Sequence, residues 1–242
     1  MQNAENTKIN NNLLHLLLKT GAVAHQDIEV VSLNAGTVLV EPQTRNQHAY
    51  FPSNAMVSYF HVLEDGSTVQ VAAIGNEGCI GVGTLIGGQS PLLRAVVLGS
   101  GEAYRLTLPA VQHAYSSSPV ATTIFLKYFQ ALMMQIGQIS VCHRKHTVSE
   151  QLCRWLLQWS DRAGNNKITV TQEMTANMLG VRREGITQVI ASLRQEGIID
   201  TARGSICIVN RPALIGKSCE CYSAIRKEYR RLLTQQDNEP ER

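Results

Sequence analysis

From about Ile28 to Leu108 the chain alternates short apolar, β-branched runs with turn residues. The runs are Val30-Val31, Thr37-Val38-Leu39-Val40, Met56-Val57-Ser58-Tyr59-Phe60, Thr68-Val69-Gln70-Val71 and Arg94-Ala95-Val96-Val97. Between them lie Asn34-Ala35-Gly36, Pro52-Ser53-Asn54, Glu64-Asp65-Gly66, Gly87-Gly88 and Gly99-Ser100-Gly101. Many short strands at even spacing predict an antiparallel sandwich or roll. Asp65-Gly66 between alternating runs is a hairpin signal.

The period changes after Ser116-Ser117-Ser118-Pro119. Ile124, Tyr128, Leu132, Ile136 and Ile139 recur at spacings of three and four, and Leu126, Phe129 and Met133 broaden the apolar face. This predicts one amphipathic helix from Val120 to about Arg144. It is apolar enough to pack on the roll and on a partner helix, which points to a homodimer. A second helix is expected over Ser149–Arg162, ended by Gly164-Asn165-Asn166. Lys167-Ile168-Thr169-Val170 reads as a short strand.

The next segment carries the chemistry. Thr171 can cap a short helix ending at Leu179, with Glu173 in the first turn favoured by the helix dipole. Gly180 can take the left-handed conformation that stops it. A second helix is expected from about Arg182 to Glu196, closed by Gly197. Met174, Met178 and Leu179 can pack on Ile186, Val189 and Ile190. That leaves Arg182, Arg183, Gly185, Thr187 and Gln188 near its outer face and N-terminal end. A helix-turn-helix offers such a face to base edges in the major groove. Arg suits guanine, Gln suits adenine and Glu can accept from cytosine. Two apolar runs around Arg203-Gly204 then predict a hairpin wing with a basic tip for phosphate. The DNA-binding candidates are therefore Thr171, Arg182, Arg183, Glu184, Thr187, Gln188 and Arg203.

Charge distribution agrees. Residues 1–141 hold 6 Lys+Arg against 8 Asp+Glu, whereas residues 142–242 hold 16 against 11. A slightly acidic first part and a basic second part suit a sensor joined to a nucleic-acid binder. The apolar cluster Leu13-Leu14-His15-Leu16-Leu17-Leu18 is too short to span a bilayer and lacks a signal-peptide pattern. A cytoplasmic protein with no membrane partner is the expectation. The six cysteines then read as reduced thiols, with Cys219-Glu220-Cys221 as two thiols on a C-terminal helix and metal or redox chemistry as the alternative. GxSxG, HExxH and P-loop motifs are absent, and His48 and His61 are too far apart in sequence for a cupin-type motif, so no enzyme is expected.

The run from Leu179 to Ile190, followed by Leu193-Arg194-Gln195-Glu196-Gly197-Ile198-Ile199, resembles the Crp/Fnr family of bacterial transcription regulators. The resemblance extends over nearly the whole chain. It implies an α+β fold: a jelly-roll-like antiparallel β-roll sensor with short N-terminal helices (1–118), a dimerisation helix and hinge (119–146), a winged helix-turn-helix (147–233) and a flexible tail (234–242). It further implies a homodimer on a two-fold symmetric duplex operator, an effector in the roll, and RNA polymerase as a further partner. A constitutive regulator with a ligand-free roll is the alternative, and a metal-binding β-roll enzyme a more remote one. Arg183 and Glu184 match the family's base-reading pair. Gln188 stands where a second Arg is usual, and Arg182 where a small hydroxyl residue is.

The family's cyclic-nucleotide pocket pairs Gly with Glu at the ribose and Arg with Ser or Thr at the phosphate. Here the matching stretch puts Val82 after Gly81 and Ala95 after Arg94. Gly81, Val82, Gly83, Thr84, Arg94 and Ala95, with Tyr128 and Leu132, are the effector-pocket candidates, and cyclic AMP is not the expected occupant. An iron–sulfur cluster is not expected either, since the first 78 residues contain no cysteine. Cys142, His143, His146, His48, His61 and His113 read as structural or surface residues rather than haem ligands, and no metal site is expected. The hinge Cys142-His143-Arg144-Lys145-His146 is expected to couple effector state to the orientation of the DNA-binding domain.

Overall fold

The computed structural model describes residues 9–44, 46–87 and 93–233; the expected tail at 234–242 lies outside them, as does Gly88 of the Gly87-Gly88 turn. Helix α1 (Asn12–Lys19) is followed by strands β1 (Glu29–Leu33), β2 (Val38–Val40), β3 (His48–Pro52), β4 (Met56–Val62) and β5 (Thr68–Ile74). Then come a one-turn helix α2 (Thr84–Gly87), β6 (Leu93–Gly99), β7 (Gly101–Thr107) and α3 (Leu108–Ser117). Two antiparallel sheets result, ordered β1-β7-β3 and β2-β6-β4-β5. Leu33, Val40, Val57, Ile74, Ile80, Ala95 and Val97 fill the space between them. The roll was legible, but β3, β7 and α3 were not predicted as separate elements.

Helix α4 runs Pro119–Lys145, 27 residues with the Ser118 hydroxyl capping Ala121 N–H. It matches the predicted long helix, and Tyr128 locks it to the roll by donating to the Cys79 carbonyl at 2.6 Å. Its buried face is Phe125, Tyr128, Phe129, Ala131, Gln135, Ile139 and Cys142. Helix α5 (Val148–Ala163) starts in a capping box in which Thr147 and Glu150 satisfy each other's backbone N–H groups. Gly164 ends it at φ 69°.

Beyond α5 lie β8 (Lys167–Thr169), α6 (Gln172–Leu179), α7 (Arg183–Gln195), β9 (Ile199–Ala202), β10 (Ser205–Ile208), α8 (Arg211–Lys217) and α9 (Cys221–Leu233). The three strands form one small sheet, β8-β10-β9. A single apolar core joins this winged domain to the roll: Met56, Phe60, Ala73 and Leu98 are continuous with Trp155, Trp159, Met178, Leu179, Ile186 and Ile206. The last helix does not stay with the winged domain. Ile225, Tyr229, Leu232 and Leu233 of α9 pack in the cluster that holds Phe125, Tyr128 and Phe129 of α4 and Leu13, Leu14 and Leu17 of α1.

Arg162 is the polar pin of this arrangement. From α5 its Nε lies 2.6 Å from Glu77 Oε1, with both side chains largely buried. Its Nη2 donates to Gln135 Oε1 of α4 at 2.5 Å, and Gln135 in turn donates to the Ala73 carbonyl of β5 at 3.0 Å.

Candidate nucleic-acid interface

Thr171 caps α6 as its position predicts: its hydroxyl accepts from Met174 N–H at 3.1 Å. Gly180 stops the helix at φ 65°, a left-handed conformation that a residue with a Cβ resists. The chain then turns at Val181, whose N–H bonds the Ala176 carbonyl at 3.0 Å, and Arg182 is the N-cap residue of α7. Ile186, Ile190 and Leu193 of α7 are buried against α6 and α5.

The opposite face of α7 is open. Arg182, Arg183, Glu184, Thr187 and Gln188 are all exposed, as are Thr171 and Arg203. Thr187 donates to Gln172 Oε1 at 2.9 Å and so ties α7 to the start of α6 across this face. Gln172 was not among the sequence candidates, although its place directly after the cap made it one. Arg203 sits at the β9–β10 tip beside Gly204, whose φ is 73°. A cleft of about 490 Å³ separates wing from helices, with Arg183, Thr171, Gln172 and Arg203 on its walls. The seven DNA-binding candidates thus share one solvent-facing surface: a helix N-terminus presents two guanidiniums, a carboxylate and an amide, and a third guanidinium lies across the cleft. That surface can bond base edges with α7 and phosphates with the wing.

The effector-pocket candidates are not gathered in the same way. Ala95 is fully buried in the roll interior. Arg94, its strand neighbour, points to the other face. There it grips Glu41 in a two-pronged pair at 2.6 and 2.8 Å and lines a groove with Phe60, Met174 and Met178. Gly81 N–H donates to the Tyr59 hydroxyl at 3.2 Å, and a Cβ on Gly81 would meet the His48 carbonyl oxygen at 2.6 Å. Val82 is buried and Gly83 is exposed. The Thr84 hydroxyl is buried with no hydrogen-bond partner among the described residues. Tyr128 is spent on Cys79, and Leu132 packs at the edge of the roll interior. Burial pushes the Tyr59 and Tyr128 phenols up, so both stay protonated.

At the expected hinge, α4 remains helical through Lys145 and His146 is its C-cap. His48 begins β3, His61 lies on β4 and His113 on α3. No helix among the described residues is long and apolar enough to cross a membrane.

A family model for the Crp-like helix-turn-helix domain matches residues 150–216. No curated protein sequence matches the chain. Solved structures do share its fold. FixK2 from Bradyrhizobium japonicum is 15% identical, with 79% of this chain and 98% of that one covered at a TM-score of 0.67. A CRP-family transcriptional regulator from Thermus thermophilus is 18% identical, with 78% and 96% covered and a TM-score of 0.65. The c-di-GMP responsive global regulator CLP of Xanthomonas campestris is 14% identical, with 79% and 97% covered and a TM-score of 0.59.

Proposed function

Because the chain has the transcription-regulator fold of the Crp/Fnr family, with a Crp-like helix-turn-helix after its roll, we propose that it binds a two-fold symmetric operator as a homodimer in the cytoplasm and does not act as an enzyme. The observation that carries this is the open face of α7, with Arg183, Glu184 and Gln188 exposed beside Arg203. Two such faces related by a two-fold axis read two half-sites about one helical turn apart.

The dimer reading is supported by α4. Leu126, Met133 and Val141 are 51%, 73% and 51% exposed and share one face of the helix, with exposed Gln130 and Gly137 between them. Phe129, Met134 and Ile86 border it. These positions repeat at three- and four-residue steps, the spacing of a helix seam. The test pairs sedimentation of the full chain with selection of bound duplexes from a random library. The wild type is expected to sediment as a dimer and to enrich a palindrome, and Met133→Glu to sediment as a monomer with weakened operator binding. A monomeric wild type, or enrichment of no palindrome, would sink the reading.

A small effector beside the 81–84 segment is supported by the unpartnered Thr84 hydroxyl, which a polar occupant would satisfy. CLP of Xanthomonas campestris, which shares the fold, is a c-di-GMP responsive regulator. The packed roll interior and the outward Arg94–Glu41 pair favour a second reading, a constitutive regulator whose roll binds nothing. Operator affinity measured with and without cell extract separates them, since an effector must change that affinity. The same comparison, extended to purified RNA polymerase at an operator-bearing promoter, tests polymerase contact.

A further inference from the structure

Outside the DNA-binding face, one cluster of chemically competent side chains is left without a task. Cys142 and His146 lie one helical turn apart at the end of α4. Cys219 lies in the turn between α8 and α9, and Cys221 opens α9. Their ligand atoms all fall within 4.8 Å of one another. Cys142 Sγ is 3.5 Å from Cys219 Sγ, and Cys221 Sγ is 3.5 Å from His146 Nδ1. The three cysteines are almost wholly buried.

We propose that Cys142, His146, Cys219 and Cys221 bind one zinc ion where the two ends of the winged domain meet. A tetrahedral zinc with bonds of about 2.3 Å to sulfur and about 2.0–2.1 Å to nitrogen holds its donors roughly 3.5–3.8 Å apart. The two close pairs, both at 3.5 Å, already stand near that, and the wider pairs, all within 4.8 Å, have to close by about 1 Å at most. A multi-iron cluster interposes its own iron and sulfide atoms and needs its thiolates wider apart, so the compact span favours a single ion.

Three surrounding features fit a metal and not merely a thiol cluster. His146 Nε2 lies 3.1 Å from a Glu220 carboxylate oxygen. A carboxylate there holds the proton on Nε2 and leaves Nδ1 free as a lone-pair donor aimed at the sulfurs. Gln138 Nε2 donates to Cys221 Sγ at 3.1 Å, an outer bond that steadies a thiolate. The third feature is Arg154, a residue 1% exposed whose Nε has no partner among the described residues. Its Nη1 donates to the neutral Gln158 amide at 2.8 Å, and its guanidinium faces Cys142. No carboxylate pairs with it among the described residues. A buried guanidinium needs a nearby anion. Three thiolates, one neutral imidazole and Zn²⁺ carry a net charge of −1, which supplies it. On binding, each thiol loses its proton to solvent, and only metal–ligand bonds form. A Cys142–Cys219 disulfide would leave Cys221 and His146 unused and Arg154 facing no charge.

The site does not depend on the DNA-binding reading, so its test is direct. Full-length protein is stripped with a chelator under reductant, reloaded with zinc sulfate alone, and analysed by elemental analysis and native mass spectrometry. One zinc per chain is expected. Cobalt in its place is expected to give the absorption bands of a tetrahedral thiolate complex. The Cys219→Ser, Cys221→Ser double variant is expected to lose both signals. Glu220→Gln, a substitution at an exposed side chain, keeps the fold intact and is expected to weaken zinc binding about 10–100-fold. Zinc well below one per wild-type chain overturns the proposal. So does cobalt without tetrahedral bands, metal retained by the double variant, or iron with acid-labile sulfide in anaerobically isolated protein.

Discussion

Arg183 and Arg203 face the same cleft from opposite walls, one at the start of α7 and one on the wing tip. Their removal is expected to read differently. Arg183→Ala should cost about 1–3 kcal/mol of specific binding and relax discrimination at one base pair, as measured by titration against single-base operator variants. Arg203→Ala should weaken binding to every duplex and lower the salt slope by about 1. Equal loss on operator and random DNA for Arg183→Ala would show that α7 is not the base-reading helix. These residues were legible because a capped helix, a Gly stop and a 3.6-residue period fix which side chains face out. Arg94 was not. A strand's inward face depends on its register, and one slipped residue exchanges the faces. The β4–β6 register does slip, between Met56 and Val57. The cysteine cluster was half legible: Cys219 and Cys221 stood out by spacing, whereas Cys142 and His146 read only as hinge residues, and only the fold of α9 onto α4 unites the four.

At the level of elements, the long helices α4, α5 and α7 lay within a residue or two of their predicted spans, because several turns of a period average out local noise. Strand β3 escaped notice because His48-Ala49-Tyr50-Phe51-Pro52 carries no β-branched residue. Helix α3 is only ten residues long and opens with Leu-Pro. Helix α5 offers a test of local energetics. The Thr147 hydroxyl and backbone bond Glu150 and hold its carboxyl below the usual glutamate range. A depressed folded pKa stabilises the protein above the unfolded pKa, and that contribution is lost as the pH falls through the folded one. Thr147→Ala should therefore cost about 1 kcal/mol at neutral pH in urea unfolding. The gap between variant and wild type should shrink as the solution is acidified below the ordinary glutamate range. A gap that widens in acid would remove the capping box from the account.

Across the whole molecule, Arg162 joins α5 to α4 and to the roll through Gln135 and Glu77. Arg162→Ala strands a buried carboxylate and should destabilise by about 3–5 kcal/mol, seen as an earlier unfolding midpoint. Arg162→Ala with Glu77→Gln should recover part of it; no recovery would show that the pair is not the cause. The winged domain is also seated on the roll through Met174 and Met178 beside Phe60 and Leu98. Yet it enters from α4 and returns to α4, because α9 lies back along that helix. In polymer terms the winged domain is a closed ring with a narrow neck, 77 residues separating the cysteines that face each other across it. Any bond across the neck removes loop freedom from the unfolded chain, worth about 4.5 kcal/mol for a ring of that size on the chain-entropy model. It does so without touching the α7 face. The molecule can thus be stiffened at its waist while the exposed face of α7 stays unchanged.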